Sequence, residues 1–329
     1  MLTFKNFAND FYTLNEAQVT RIALDVFRFQ ARENPVYRDY LRYLKCAPDQ
    51  ITSIAEIPHL PVAFFKTHTV KTGNWMEQMV FTSSGTTGST TSHHFVPDIR
   101  FYEEISSLIF EHQYGKLNRY HVLALLPSYQ ERQGSSLIKM MDYFIAKSES
   151  NYSGYFLYDH DRLAHTLNRL RKDTRKTILW GVTFALLDFA EKHALDLSHC
   201  VIMETGGMKG RRKESIREDI HDFLQARWNL PSIHSEYGMT ELFSQAYSAS
   251  KGLFNGPPWL KITLKDINDP FSEAPAGRAG VINVMDLANF STCSFIETQD
   301  LGRNIQNGNF EVLGRLDNSD IRGCNLLVG

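Results

Sequence analysis

The sequence predicts a layered α/β protein with a strand-built region toward its end, on three observations. In the first 60 residues, Val19, Ile22, Ala23, Val26 and Phe27 recur at helix spacing, with Arg21, Asp25 and Arg28 between them. From about residue 75, short apolar runs of buried-strand type alternate with helix-period segments. From about residue 255, short β-type runs follow one another, separated by Gly, Pro, Asn and Asp.

Each element follows in order. Pro35 closes the first helix or opens the next, and a second short helix is expected over 37–44. Pro58 and Pro61 bracket an extended entry segment. Residues 78–81 read as a strand leading into a Ser/Thr/Gly loop, 98–111 as a helix, 121–126 as a buried strand closed by Pro127, and 137–145 as a helix. A strand at 177–180 precedes a helix at 185–193, and a strand at 201–203 runs into Gly206-Gly207. An amphipathic helix is expected over 213–228, with Ile216, Ile220, Phe223 and Leu224 on its apolar face. A strand at 232–234 leads into Glu236-Tyr237-Gly238, and the last strands are expected at 260–264, 280–285, 295–298 and 310–313. No internal repeat or long Pro/Gly/Ser linker divides the chain. The reading is an N-terminal helical segment, 1–60, packed on a main domain, 61–329, whose β-rich subdomain begins near 255.

Composition narrows the function classes. The 329 residues are 43% hydrophobic and 22% charged, ordinary for a globular chain with ample apolar material for a core. The net charge of −2 gives no basic excess for nucleic acid or an anionic membrane surface. The four cysteines, Cys46, Cys200, Cys293 and Cys324, lack metal or redox spacing. The N-terminus has no apolar signal core, and no apolar stretch approaches the roughly 20 residues needed to cross a bilayer. A cytoplasmic location is expected.

Four segments carry chemistry. In Ser83-Ser84-Gly85-Thr86-Thr87-Gly88, hydroxyls supply donors and glycines admit backbone N–H groups close to phosphate oxygens, although the Gly-Lys-Ser/Thr ending of a Walker loop is missing. In Glu236-Tyr237-Gly238-Met239-Thr240-Glu241, a tyrosine ring suits stacking, a threonine hydroxyl suits a phosphate and a carboxylate suits Mg²⁺. Asp300, expected at a strand end, suits the two hydroxyls of a ribose. Gly314-Arg315-Leu316-Asp317 forms the fourth. Taken alone, each has a plain alternative: a flexible Ser/Thr loop, a strand end followed by a capped helix, a turn aspartate and a charged β-turn.

In this order the four segments resemble the adenylate-forming (ANL) superfamily, which includes acyl-CoA synthetases, luciferases and peptide-synthetase adenylation domains. The resemblance spans about residues 60 to 325. It implies the ANL-type large N-terminal domain: layered α/β with a distorted β-subdomain, here lacking the usual C-terminal domain. It further implies that Ser83–Gly88 hold ATP phosphates, that Tyr237–Glu241 hold adenine, phosphate and magnesium, and that Asp300 binds ribose. Gly314–Asp317 would be the hinge, and Gly206-Gly207 the glycine pair bordering adenine. Within the superfamily, Pro61–Lys66, Thr205–Lys209 and Ser235–Glu241 resemble the acyl-protein synthetase branch, the fatty-acid-activating subunits of bioluminescence fatty acid reductases. That branch carries the acyl group on a cysteine near the C-terminus, which points to Cys324, with Arg322 favouring its thiolate.

Two departures shape the expectations. The phosphate loop runs into Ser92-His93-His94 rather than toward a lysine, and the chain ends just past the hinge-like Asp317. A cation is still wanted where charge develops on the α-phosphate. Lys209 is the first candidate and Arg315 the next. His93 and His94, on opposite sides of a strand, are expected in a surface or loop role. Tyr129, Arg132, Phe64, Phe65 and Trp259 are candidates for an acyl pocket. The expected reaction is ATP- and Mg²⁺-dependent conversion of a carboxylic acid, a fatty acid in this branch, to acyl-AMP, with transfer to a protein thiol and an acyl-accepting reductase or carrier protein as partner. The alternatives are a minimal acyl- or aryl-CoA ligase, transfer to a carrier protein, and a non-catalytic nucleotide-binding module.

Overall fold

Asn15 starts the first helix of the computed structural model, which describes residues 13–83, 90–127, 132–206, 216–269, 272–275, 277–304 and 308–316. The Asn15 side chain accepts from Gln18 N–H at 3.0 Å while the Gln18 side chain accepts from Asn15 N–H at 2.8 Å, so two otherwise orphaned donors are satisfied reciprocally. Helix α1 (Glu16–Glu33) buries Val19, Ala23, Val26 and Phe27, the spacing seen in the sequence. Asn34 then ends α1 and caps α2 (Pro35–Tyr43), with Pro35 in the first turn, where its missing N–H costs nothing.

Six strands form the main sheet in the order β5-β4-β6-β7-β8-β9. They are β4 (Tyr120–Leu125), β5 (Gly154–Tyr155), β6 (Lys176–Val182), β7 (Cys200–Thr205), β8 (His234–Tyr237) and β9 (Ala246–Ser248). The first five are parallel and β9 is antiparallel on β8. Parallel neighbours require crossovers. These are made by α5 (Ser136–Ser148), α6 (His160–Leu170), α7 (Thr183–Lys192) and α8 (Arg217–Trp228). All of β4 and all of β6 beyond Lys176 are buried, which is why these strands read as continuous apolar runs rather than alternating ones. The one-turn helix α3 (Phe64–Thr67), a hairpin of β2 (Met79–Thr82) and β3 (His93–Val96), and the helix α4 (Ile99–Tyr114) precede this sheet in the chain.

The last strands build a second sheet, β1-β12-β11-β10 with β13 on the far side of β12. Its members are β1 (Leu60–Pro61), β10 (Leu260–Lys265), β11 (Gly280–Asp286), β12 (Phe295–Asn304) and β13 (Phe310–Arg315). The β12–β13 register shifts between Leu301 and Gly302, where a side chain on Gly302 would stand 2.7 Å from the Glu311 carbonyl.

The structure corrects the sequence reading in three places. Ile216 and Phe223 are exposed, Ile216 to 63%, and the inward face of α8 is Ile220, His221, Leu224 and Trp228. His221 is drawn inward by a buried carboxylate, which hydrophobic periodicity does not register. Strand β12 extends to Asn304 rather than 298, because β13 pairs along its second half. Helix α6 and the short strands β1, β3, β5 and β9 are additions.

Candidate active site

The parallel strands β6, β7 and β8 end on one edge of the sheet, where α/β folds place ligands. Glu204, on β7, is buried there and receives the Thr183 hydroxyl at 2.7 Å, His221 Nε2 at 2.9 Å and the Ser235 hydroxyl at 3.3 Å. Burial alone would raise its pKa, but the His221 contact and the Thr183 hydrogen bond more than offset that, and the carboxyl is held below its ordinary value. The Thr183 hydroxyl also lies 2.8 Å from the Gly206 carbonyl, so this cluster abuts the first glycine of the predicted pair, which has φ +68°.

One strand over, Thr205 and Glu236 are register partners, and the Thr205 hydroxyl donates to the Glu236 carboxylate. A β-carbon on Gly238 would stand 2.4 Å from Glu236 Oε1, so any side chain at 238 would have to displace this carboxylate. Residues 239–244 are not helical, contrary to the plain alternative of a capped helix at Thr240.

Tyr237 is buried at the end of β8, its ring edge-on to Phe254 at 6.0 Å and Phe310 at 5.7 Å. Its hydroxyl donates to Asp300 Oδ2 at 2.9 Å. Arg315 Nε reaches Asp300 Oδ1 at 3.3 Å, and the two residues are register partners across β12 and β13. The Arg315 side chain is 78% exposed and that of Asp300 only 10%, so the pair faces solvent from the arginine side. Burial first, and then the Asp300 charge, push the Tyr237 phenol well above its ordinary pKa, which keeps it a proton donor.

The phosphate-loop candidate meets the same place at its stem. Ser83 N–H donates to the Ser92 carbonyl at 3.3 Å, and Ser92 N–H donates to Ser83 Oγ at 2.9 Å. The Ser92 hydroxyl lies near enough to the buried carboxyl of Glu241 to favour its charged form. Burial raises the Glu241 pKa, against the opposing effects of Ser92 and Arg315, while the Asp300 charge adds to the rise. Loop stem, Glu241, Tyr237, Asp300 and Arg315, far apart in sequence, therefore share one electrostatic neighbourhood.

Ser84, Gly85, Thr86, Thr87, Gly88, Tyr129, Gly207, Lys209 and Cys324 lie outside the described residues. Phe65 and Trp259 are fully buried packing residues, and Trp259 Nε1 donates to Ser244 Oγ at 2.9 Å; Phe64 packs edge-on against Tyr40 at 5.8 Å. Burial lowers the Arg132 pKa from its ordinary value. Burial raises the thiol pKa of Cys46, and takes Cys200 and Cys293 up to about 12.

Sequence reasoning missed the support behind residues 239–244. His94, expected in a surface or loop role, is fully buried, and only His93 is exposed; burial holds the His94 pKa down at about 4. Asp286 is buried and accepts from Phe243 N–H, Ser244 N–H, the Ser244 hydroxyl and Ala288 N–H at 2.7–3.1 Å. An acidic residue ending an apolar strand run, as in Val284-Met285-Asp286, is the signal that could have flagged it.

The acyl-protein synthetase, LuxE, family matches residues 12–329. No curated protein matches the chain. Among solved structures, an open conformation of 2-hydroxyisobutyryl-CoA ligase in complex with 2-HIB-AMP and CoA is similar at 14% identity, over 92% of this chain and 75% of that chain, with a TM-score of 0.65. The same ligase in the postadenylation state matches at 14% identity, over 92% and 68%, with a TM-score of 0.67. A long-chain-fatty-acid-CoA ligase from Archaeoglobus fulgidus matches at 14% identity, over 72% and 51%, with a TM-score of 0.50. These likenesses establish the adenylate-forming α/β fold. With the family matched over nearly its whole length, the chain belongs to the acyl-protein synthetases of the LuxE family, adenylate-forming enzymes that activate a carboxylic acid as acyl-AMP.

Proposed function

We propose that this enzyme activates a fatty acid with MgATP and passes the acyl group through Cys324 to a reductase or carrier partner in the cytoplasm. One observation carries the placing of the nucleotide: Tyr237 donates to Asp300 at 2.9 Å while Arg315 reaches the other carboxylate oxygen at 3.3 Å, which brings three of the four sequence segments together. The residues present suit a nucleotide. Asp300 keeps lone pairs free beyond those used by Tyr237 and Arg315, enough for ribose hydroxyls. Glu241 is a single carboxylate, which suits Mg²⁺ because that ion takes most of its ligands from phosphate oxygens and water. Among the described residues no group of three or more His, Cys, Asp or Glu could hold an ion by itself.

In this reading Tyr237, its ring fixed by Phe254 and Phe310, stacks adenine beside Gly206 and Gly207. Ser83–Gly88 and Thr240 hold the phosphates. Lys209, with Arg315 next in rank, neutralises the charge that develops as the substrate carboxylate attacks the α-phosphorus and pyrophosphate departs. A cysteine thiolate then attacks the acyl carbon, forming a thioester and releasing AMP. Buried, high-pKa Cys200 and Cys293 are poor nucleophiles at neutral pH, and Cys46 is disfavoured in the same direction; this supports Cys324.

The test is ATP–pyrophosphate exchange over a panel of fatty and aromatic acids. Exchange with fatty acids, abolished in Lys209→Ala, is expected; exchange with aromatic acids alone, or full activity of the variant, overturns the assignment. Labelled acid should be retained on the protein in a hydroxylamine-sensitive bond and be lost in Cys324→Ser. Strictly CoA-dependent thioester formation with no protein-bound label would select the CoA-ligase alternative.

A further inference from the structure

The backbone of Thr240 and Glu241 is tied down from behind by groups that the reaction does not use. His94 Nδ1 lies 2.7 Å from the Thr240 carbonyl, and only a protonated Nδ1 can be so close, which sets the tautomer of the neutral ring. The ring packs tilted against Phe243 at 4.9 Å and edge-on to Phe65 at 5.7 Å, which fixes its plane. The next carbonyl, that of Glu241, accepts from Asn289 Nδ2 at 2.7 Å. Thr292 joins the two: its hydroxyl is 3.1 Å from His94 Nε2 and 2.8 Å from Asn289 Oδ1.

The segment holding Asn289 and Thr292 is gripped in turn by α1 and its cap. Asn34 Nδ2 donates to the Thr292 carbonyl at 2.8 Å. Gln30 Nε2 donates to the Phe290 carbonyl at 3.0 Å, and Gln30 Oε1 accepts from Ser294 N–H at 2.9 Å. Gln30, Asn34, His94, Asn289 and Thr292 are all almost fully buried, so each of these bonds is directional and costly to leave unmade.

We propose that His94 and Asn289 are positioning residues that hold the Thr240–Glu241 backbone in place, and that α1 sets their geometry through Gln30 and Asn34. The N-terminal helices then belong to the active-site architecture. The inference rests on the assignment of Thr240 and Glu241 to phosphate and magnesium. A chain that keeps its fold but loses these ties loses rate, because displacements of about 1 Å cost on the order of 10²-fold.

The experiment pairs two measurements on the full chain. Amide hydrogen exchange of residues 240–244 in nucleotide-free protein reads the tie whatever the substrate. His94→Leu is expected to speed it by about tenfold or more, with β4 and β6 unchanged. His94→Asn, which can still donate to the Thr240 carbonyl, restores most protection, and Asn34→Ala shifts exchange in the same direction as His94→Leu. In pyrophosphate exchange, His94→Leu lowers kcat on the order of 10²-fold with the KM for the acid unchanged, and the Asn34→Ala effect is less than additive with it. Unchanged amide exchange, uniform loosening of β4 and β6, or intact kcat in His94→Leu overturns the proposal. A wild-type chain with no pyrophosphate exchange would instead fail the nucleotide assignment, while the amide data still decide the tie.

Discussion

The Tyr237 hydroxyl donates to Asp300 at 2.9 Å across 63 residues of sequence, and Arg315 holds the other carboxylate oxygen at 3.3 Å. This links the main parallel sheet, through the end of β8, to the second sheet, through β12 and β13. The carboxylate proposed to bind ribose is thus held at both oxygens by residues of the protein.

Removing the phenol hydroxyl should cost affinity rather than chemistry. Tyr237→Phe keeps the ring and deletes one hydrogen bond to a charged acceptor, a loss of about 1.5–3 kcal/mol. The expected outcome is a KM for ATP raised roughly tenfold to a hundredfold with kcat little changed. Pyrophosphate-exchange kinetics check it; an unchanged KM for ATP would show that Asp300 needs no help from Tyr237.

Glu241 sets stability against function. Its folded-state pKa is raised, so the folded protein holds that proton more tightly than the unfolded chain. Stability from this group therefore falls as pH rises from the ordinary carboxyl value of 4.5 through the raised one. Glu241→Gln removes the buried charge and is expected to melt higher at pH 7 while losing pyrophosphate exchange. Calorimetric melting from pH 4 to pH 8 beside the exchange assay measures both, and a variant that melts lower with full activity refutes the prediction.

Gly238 is predicted to refuse any side chain. In Gly238→Ala the new β-carbon would meet Glu236 Oε1 at 2.4 Å and displace a carboxylate pinned by Thr205. A loss of about 1–3 kcal/mol in denaturant unfolding is expected. Wild-type stability would mean that Glu236 can move freely.

Glu204 and His221 should behave as a coupled buried pair. His221→Leu leaves the carboxylate uncompensated, at a cost of about 3–5 kcal/mol, and the double variant with Glu204→Gln should recover much of it. Glu204 is depressed below 4.5, so its stabilising contribution is present above that value and is lost as pH falls through the lower folded-state value. Unfolding free energies of the wild type and both variants at pH 7 and pH 4 decide this; equal losses in single and double variants would deny the coupling.

What the sequence determined by itself was local and ordered. Helix spacing marked α1, apolar runs marked β4 and β6, and the Ser83–Gly88, Tyr237–Glu241, Asp300 and Gly314–Asp317 segments carried the family. These signals are legible because period, turn chemistry and motif order are written within short windows of chain. The buried polar contacts were not legible. His94 was read as a surface or loop residue, His221 broke an apolar stripe, and nothing in the sequence marked Gln30, Asn34 or Asn289. Only the tertiary structure decided that they turn inward, because a buried donor is worth its burial only when an acceptor from elsewhere in the chain waits for it, and such partners lie up to 264 residues away.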